Sequence, residues 1–266
     1  MCKIAGGSIS HVQRKVYLIG AGPGAADLIT LRGARLLEQA DVVLYDALVQ
    51  PELLAMINPN AQLIAVGKRC LQLSTDQRFI NRALVEAAQN HACVVRLKGG
   101  DPMIFGRAQE EIAALNDAGI EYEIVPGITS ALAAAAELGV SLTRRGISRN
   151  VVFVTPRVGE AESASDWAQS VLSADTAVLY MASGQASEIA AALMQRGLSG
   201  STPAAIISNA SLPNMQKVHT TLAELPEAAK TVGAPALIML GEVLRDNAWA
   251  DAHPTNYELS CQAAAA

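Results

Sequence analysis

This sequence is short of aromatic residues and short of charge. Phe, Trp and Tyr make up 4% of its 266 residues, and Asp, Glu, Lys and Arg together 17%. With 51% hydrophobic residues the chain can bury enough surface to offset the entropy of ordering, which excludes a disordered protein. A net charge of −5 argues against general nucleic-acid binding. Cysteine and histidine are scarce and scattered. Cys2, Cys70, Cys93 and Cys261 have no metal-ligand spacing, and His11, His91, His219 and His253 are equally dispersed, so no metal site is expected. No apolar run is long enough to span a bilayer, and the N-terminus lacks the apolar core of a signal peptide. The expectation is a soluble, cytoplasmic protein.

What the chain has in quantity is Ala, Val, Ile and Leu, the composition of strands buried under closely packed helices. Strands are expected at Val16–Ile19, Asp41–Asp46, Gln62–Val66, Cys93–Leu97 and Glu121–Val125. The second half continues with Val151–Thr155, Ala177–Tyr180, Ala204–Ser208, Lys217–Thr220 and Ala236–Leu240. Helices are expected over Leu31–Gln39 with Thr30 as N-cap, from Pro51, from a Ser74 or Thr75 cap to Gln89, and over Ala108–Leu115. Further helices follow at Ala131–Leu138, Ala164–Leu172 and Ala186–Arg196, the last closed by Gly197. This alternation gives an α/β protein of two α/β lobes, an N-terminal domain over 14–142 and a C-terminal domain over 143–246. Residues 1–13 read as a loose arm and 247–266 as a disordered tail.

Three glycine loops leave strand ends. The most informative runs from Lys98 through Gly99-Gly100-Asp101-Pro102 to Arg107. Adjacent glycines let another molecule approach the backbone, Asp101 supplies acceptors, and Pro102 fixes the turn. The plainer reading of this stretch alone is a glycine turn stopped by Asp-Pro, and it is the lesser one. Gly20-Ala-Gly-Pro-Gly24 and Pro126-Gly127-Ile128-Thr129-Ser130 stand in the same strand–loop–helix context, and three such loops make one composite pocket the sharper reading. The first loop also satisfies G-x-G-x-x-G/A, with Asp46 ending the next strand, which is a dinucleotide fingerprint and keeps an oxidoreductase open. Against it, the helix is expected to begin several residues past the glycines, and a pyrophosphate needs that helix N-terminus at the loop.

Gly20–Gly24, Val66-Gly67-Lys68-Arg69, Lys98–Arg107 and Pro126–Ser130, in that order over residues 14–245, resemble the tetrapyrrole methylases, in particular members that methylate uroporphyrinogen III. The resemblance implies the class III S-adenosylmethionine (SAM) methyltransferase fold, with SAM in a cleft between two α/β lobes, and a homodimer. It implies two successive methyl transfers that convert uroporphyrinogen III to precorrin-2 and release S-adenosylhomocysteine (SAH). Sirohaem, cobalamin or haem d1 would lie downstream. The implied cofactor residues are Pro23, Gly99, Gly100, Asp101, Ile104, Thr129, Ser130, Met181 and Ala210. Asp46 matches the proton acceptor and Lys68 the proton donor, with Arg107 as a rival assistant. An acceptor with eight carboxylates calls for guanidinium forks, for which Arg107, Arg144, Arg145 and Arg149 are candidates, with Lys68 and Arg69. The plainer reading of that cluster is a solvated linker.

Two departures from the family pattern stand out. Leu142-Thr143-Arg144-Arg145 carries arginine where the family commonly has histidine, and Ala108-Gln109 replaces a Gly-Gly pair after Arg107. The alternatives are a methylase of a later corrinoid precursor, the dinucleotide oxidoreductase, and a carrier that binds SAM or a tetrapyrrole without turnover.

Overall fold

The computed structural model describes residues 14–67, 77–158 and 165–245. The expected arm at 1–13, Lys68 and Arg69, the Ser74 or Thr75 cap, the start of the helix at Ala164 and the tail from 247 lie outside the described residues. The chain divides into two compact units, residues 1–128 and 129–266. The division falls inside the third glycine loop, ahead of the 142/143 boundary expected from sequence, because the helix after that loop packs within the second unit.

The first unit holds a five-stranded sheet of β1 (Lys15–Gly20), β2 (Val42–Tyr45), β3 (Gln62–Ala65), β4 (Cys93–Lys98) and β5 (Glu121–Val125), in the order β3-β2-β4-β1-β5. Every neighbouring pair is parallel. Parallel strands need crossovers, and these are α1 (Leu31–Leu37), α2 (Pro51–Leu54), α3 (Gln77–Asn90) and α4 (Ala108–Asp117). Period-two alternation along the strands splits the core into two layers. Val16, Leu18, Leu44 and Val94 pack under Ile80 and Leu84 of α3 and Ile112 and Leu115 of α4. Ile19, Val43, Val95 and Leu97 pack under Leu37 of α1 and Leu53 of α2. Thr30 caps α1 as expected, its hydroxyl accepting from the Gly33 N–H at 3.1 Å.

The second unit comprises α5 (Ser130–Leu138), β6 (Val151–Val154), α6 (Trp167–Leu172), β7 (Thr176–Leu179), α7 (Ala186–Gln195), β8 (Pro203–Ser208), β9 (Gln216–Thr221), α8 (Leu225–Ala229) and β10 (Ala236–Gly241). Its sheet order is β6-β7-β10-β8-β9. β6 and β7 are parallel, whereas β10 is antiparallel to both β7 and β8, and β8 and β9 form an antiparallel pair. The parallel strand–helix alternation therefore stops at β8. Only residues 209–215 separate β8 from β9, too few for a helical crossover, so the chain turns back on itself. Helix α8, with Pro226 in its first turn, had no counterpart in the sequence reading.

Candidate active site

The carboxyl ends of β1, β4 and β5 are joined through bare backbone. Ala21 N–H donates to the Lys98 carbonyl at 2.7 Å, and Gly22 and Gly100 exchange both backbone hydrogen bonds at 3.2 and 2.7 Å. No side chain fits at this junction. A Cβ on Gly20 would lie 2.5 Å from the Gly127 Cα and 2.7 Å from the Gly100 oxygen, and one on Gly127 would lie 2.3 Å from the same oxygen. Asp101 fastens two loops to each other. Its Oδ1 accepts from the Met103 N–H at 2.8 Å and its Oδ2 from the Gly127 N–H at 2.9 Å. Both Asp101 oxygens thus hold the loop, and each keeps a lone pair for a ligand, the role the sequence suggests. Leu48, Met103 and Phe105, all exposed, add apolar surface, and Leu48 lies against Gly99. Pro23 and Ile104 are half-buried in the same loops. Helix α1 begins at Leu31, beyond Gly24 and a 3₁₀ turn over Ala26–Leu28, so no helix N-terminus meets the first glycine loop.

Beside this junction lies a buried chain of charge. Arg96 and Lys98 share the face of β4 that carries Val94, beneath α4, and each is 2% exposed. Glu111 of α4, fully buried, accepts from Arg96 Nε at 2.8 Å and from Lys98 Nζ at 2.8 Å, with Gln77 Nε2 at 3.5 Å. The far side of the Arg96 fork meets Asp46 Oδ1 at 2.5 Å and the Leu97 carbonyl at 3.1 Å. Lys98 therefore closes a strand and pairs with Glu111, where the sequence reading made it the first residue of the binding loop. Burial works against the charge on Arg96, but the Asp46 and Glu111 carboxylates outweigh it and hold the guanidinium above its ordinary value. For Lys98 the balance is opposite. Burial, then the Arg96 charge, push its ammonium below the ordinary lysine value despite Glu111.

In the second unit, Tyr180 at the end of β7 organises the start of α5. Its hydroxyl lies 2.6 Å from that of Thr129 and accepts from the Ala131 N–H at 3.3 Å. Met181 follows at φ +55°, half-exposed, while Asn209 and Ser211, at +50° and +71°, flank the buried Ala210. Because β7 and β8 both run antiparallel to β10, Met181 and Ala210 leave the sheet at the same edge. Ser130 opens α5. Among the described residues, the non-glycine residues at positive φ are Phe105, Arg107, Met181, Asn209 and Ser211. All lie in loops after β4, β7 and β8 that carry candidate residues, the placement expected of strain retained for function.

The arginines stand differently. Arg107 pairs both arms of its fork with Glu110, at 2.7 and 2.8 Å, on an exposed surface. Arg144 forms a tight turn, its N–H donating to the Ser148 carbonyl at 2.9 Å and its carbonyl accepting from Ser148 N–H at 2.8 Å. Arg144, Arg145 and Arg149 are exposed around this turn. Lys68 lies outside the described residues. Among those described, no three His, Cys, Asp or Glu side chains gather as a metal site requires, and no helix is long and apolar enough to cross a membrane.

The family of Tetrapyrrole (Corrin/Porphyrin) Methylases matches residues 15–226. This chain is a tetrapyrrole methylase. Among the methylases of known structure, uroporphyrin-III C-methyltransferase from Thermus thermophilus is 41% identical with a TM-score of 0.77, covering 87% of this chain and 99% of that one. The same enzyme has been solved in complex with S-adenosylhomocysteine. A cobalt precorrin-4 methyltransferase is 31% identical, with a TM-score of 0.78 and 99% of its chain covered. Siroheme synthase from Zymomonas mobilis is 48% identical over 231 residues, 87% of this chain and 49% of that protein. The tetrapyrrole methylase described here thus spans about half the length of the curated relatives it matches. The sequence reading passed over Arg96, Glu111 and Tyr180. A visible signal for the first was two basic residues at i and i+2 inside an otherwise apolar buried strand.

Proposed function

We propose that this chain transfers two methyl groups in succession from SAM to uroporphyrinogen III, yielding precorrin-2. The observation that carries the reading is the likeness to the Thermus enzyme, which extends over 99% of that chain at 41% identity. The fold alone does not choose the acceptor, since the cobalt precorrin-4 methyltransferase superposes equally well at 31% identity. A methylase of a later corrinoid precursor is therefore the second reading.

The residues suit SAM. In the first unit Pro23, Gly99, Gly100, Asp101 and Ile104 are the proposed contacts, and the exposed Leu48, Met103 and Phe105 supply apolar wall, Leu48 lying against Gly99. In the second unit Thr129, Ser130, Met181 and Ala210 are the proposed contacts. SAM supplies an electrophilic methyl group, and the chain's own task is to align the acceptor carbon and remove a proton. Alignment is worth up to roughly 7–11 kcal/mol of the barrier. Once methylated, the pyrrole is a cation whose proton is far more acidic than that of the neutral ring. The partly exposed Asp46 carboxylate is a sufficient acceptor for it. Arg107, Arg144, Arg145 and Arg149 are proposed to bind the carboxylates of the acceptor, and Lys68 to return a proton. The proposal includes a cytoplasmic homodimer. The name siroheme synthase borne by its relatives supports siroheme as one destination of the product.

Anaerobic incubation with SAM and enzymatically generated uroporphyrinogen III, followed by mass spectrometry of the oxidised tetrapyrrole, tests this. Two added methyl groups are expected. Unchanged mass in a preparation that binds SAH would sink the acceptor and turn attention to later corrinoids.

A further inference from the structure

The chain Glu111–Arg96–Asp46 has one end fully buried and one end open. Glu111 is inaccessible, Arg96 is 2% exposed, and the Asp46 side chain is 28% exposed. The elements packed around Arg96 bring Glu111 from α4, Lys98 from β4 itself, Gln77 from α3 and Asp46 from the end of β2, while its register partner on β1 is Leu18. Two cations, two carboxylates and the Gln77 amide thus occupy a face that is otherwise apolar. Stability gives no reason for this, since buried ion pairs usually add little over well-packed apolar side chains of similar volume. The geometry does give one. Arg96 is fixed at Nε by Glu111 and through its NH1 by the Leu97 carbonyl, so its remaining arm has a single orientation and clamps Asp46 Oδ1. Among the described residues, Asp46 Oδ2 has no hydrogen-bond partner.

We propose that Arg96, anchored by Glu111, is a positioning residue for methyl transfer: it holds the Asp46 carboxylate in one orientation with Oδ2 available to the acceptor. This rests on the reading above in which Asp46 takes the proton of the methylated ring, one proton per methyl group added. A carboxylate on a strand-end residue is otherwise free to rotate, and misorientation lowers the chemical step without weakening binding.

The test compares Arg96→Gln, Arg96→Lys, Glu111→Gln and Asp46→Asn in the full chain. It reads kcat, KM for the tetrapyrrole, and SAH affinity by calorimetry. Arg96→Gln is expected to lower kcat by roughly tenfold or more, with KM and SAH affinity within about twofold. Arg96→Lys, which keeps a donor and a charge, should recover part of the loss. Glu111→Gln should lower kcat in the same manner but less. A folded, SAH-binding Arg96→Gln with wild-type kcat overturns the proposal. So does a loss shared equally by kcat, KM and SAH affinity, or failure of all three network variants to fold, because either outcome makes the cluster only structural. Asp46→Asn separates the two levels. If it turns over normally, the role of Asp46 itself is wrong. If it is inactive while Arg96→Gln is normal, only the positioning role falls.

Discussion

Gly20 and Gly127 lie against each other with no room for a methyl group between them: a Cβ on the first would stand 2.5 Å from the Cα of the second. The contact joins the ends of β1 and β5 at the level where Gly22 and Gly100 pair. Gly127→Ala would drive its Cβ to 2.3 Å from the Gly100 carbonyl oxygen, a backbone atom that cannot step aside cheaply. The expected result is a loss of about 1–3 kcal/mol in denaturant unfolding and weaker SAH binding in calorimetry. Gly184→Ala is the control, because a Cβ there meets nothing within 4 Å. It should leave both measurements unchanged.

Tyr180→Phe should separate a hydroxyl from a ring. The ring packs near Phe153, with centroids 5.8 Å apart, and should stay. The lost hydroxyl would leave the buried Thr129 hydroxyl and the Ala131 N–H without the partner they share at the start of α5. About 1–3 kcal/mol of stability should go with it. If Thr129 and Ser130 hold the cofactor, SAH affinity should drop while the mass of the product stays the same. Unaltered SAH affinity in a destabilised variant would remove Thr129 from the cofactor site.

Glu137 provides a pH dependence of known sign. Burial raises its pKa above the ordinary glutamate value, opposed by a backbone N–H of Ser211 and the charge of Lys217. Between the unfolded and the folded pKa the native state holds more protons, so stability falls as pH rises through that window and is fully present below it. Glu137→Gln should flatten this part of the profile and stabilise the protein above it. Melting curves collected from about pH 4 to about pH 8, spanning the ordinary carboxylate range and beyond, check it. A variant whose slope matches the parent would assign the dependence to other groups.

Much of the architecture was legible residue by residue. Thr30 caps its helix, Pro51 starts another, and all ten expected strands exist with ends shifted by a residue or so. These are local signals, set by alternation and capping within a few residues. The turn-back after β8 and the antiparallel insertion of β10 were not legible, because a strand's sequence records its burial and not the direction of its neighbours. The charge chain was hidden for a related reason. Arg96 stands 15 residues from Glu111 and 50 from Asp46, so no spacing rule joins them. Lys98, taken alone, reads as a loop lysine, and only its pairing with Glu111 shows it to be part of the buried charge chain.

The position of β10 bears on the order in which the molecule can assemble during synthesis. Every strand of the first sheet is encoded before residue 126, so that sheet can close while the rest of the chain is still being made. The second sheet cannot do the same. Its central strand, residues 236–241, is the last of its five to leave the ribosome. Until then β7 and β8 each present an unpaired, mostly apolar edge, the kind that invites pairing with another nascent chain. A chaperone acting on this protein would have most to shield in that interval, and a stop codon shortly before Ala236 would make the interval permanent.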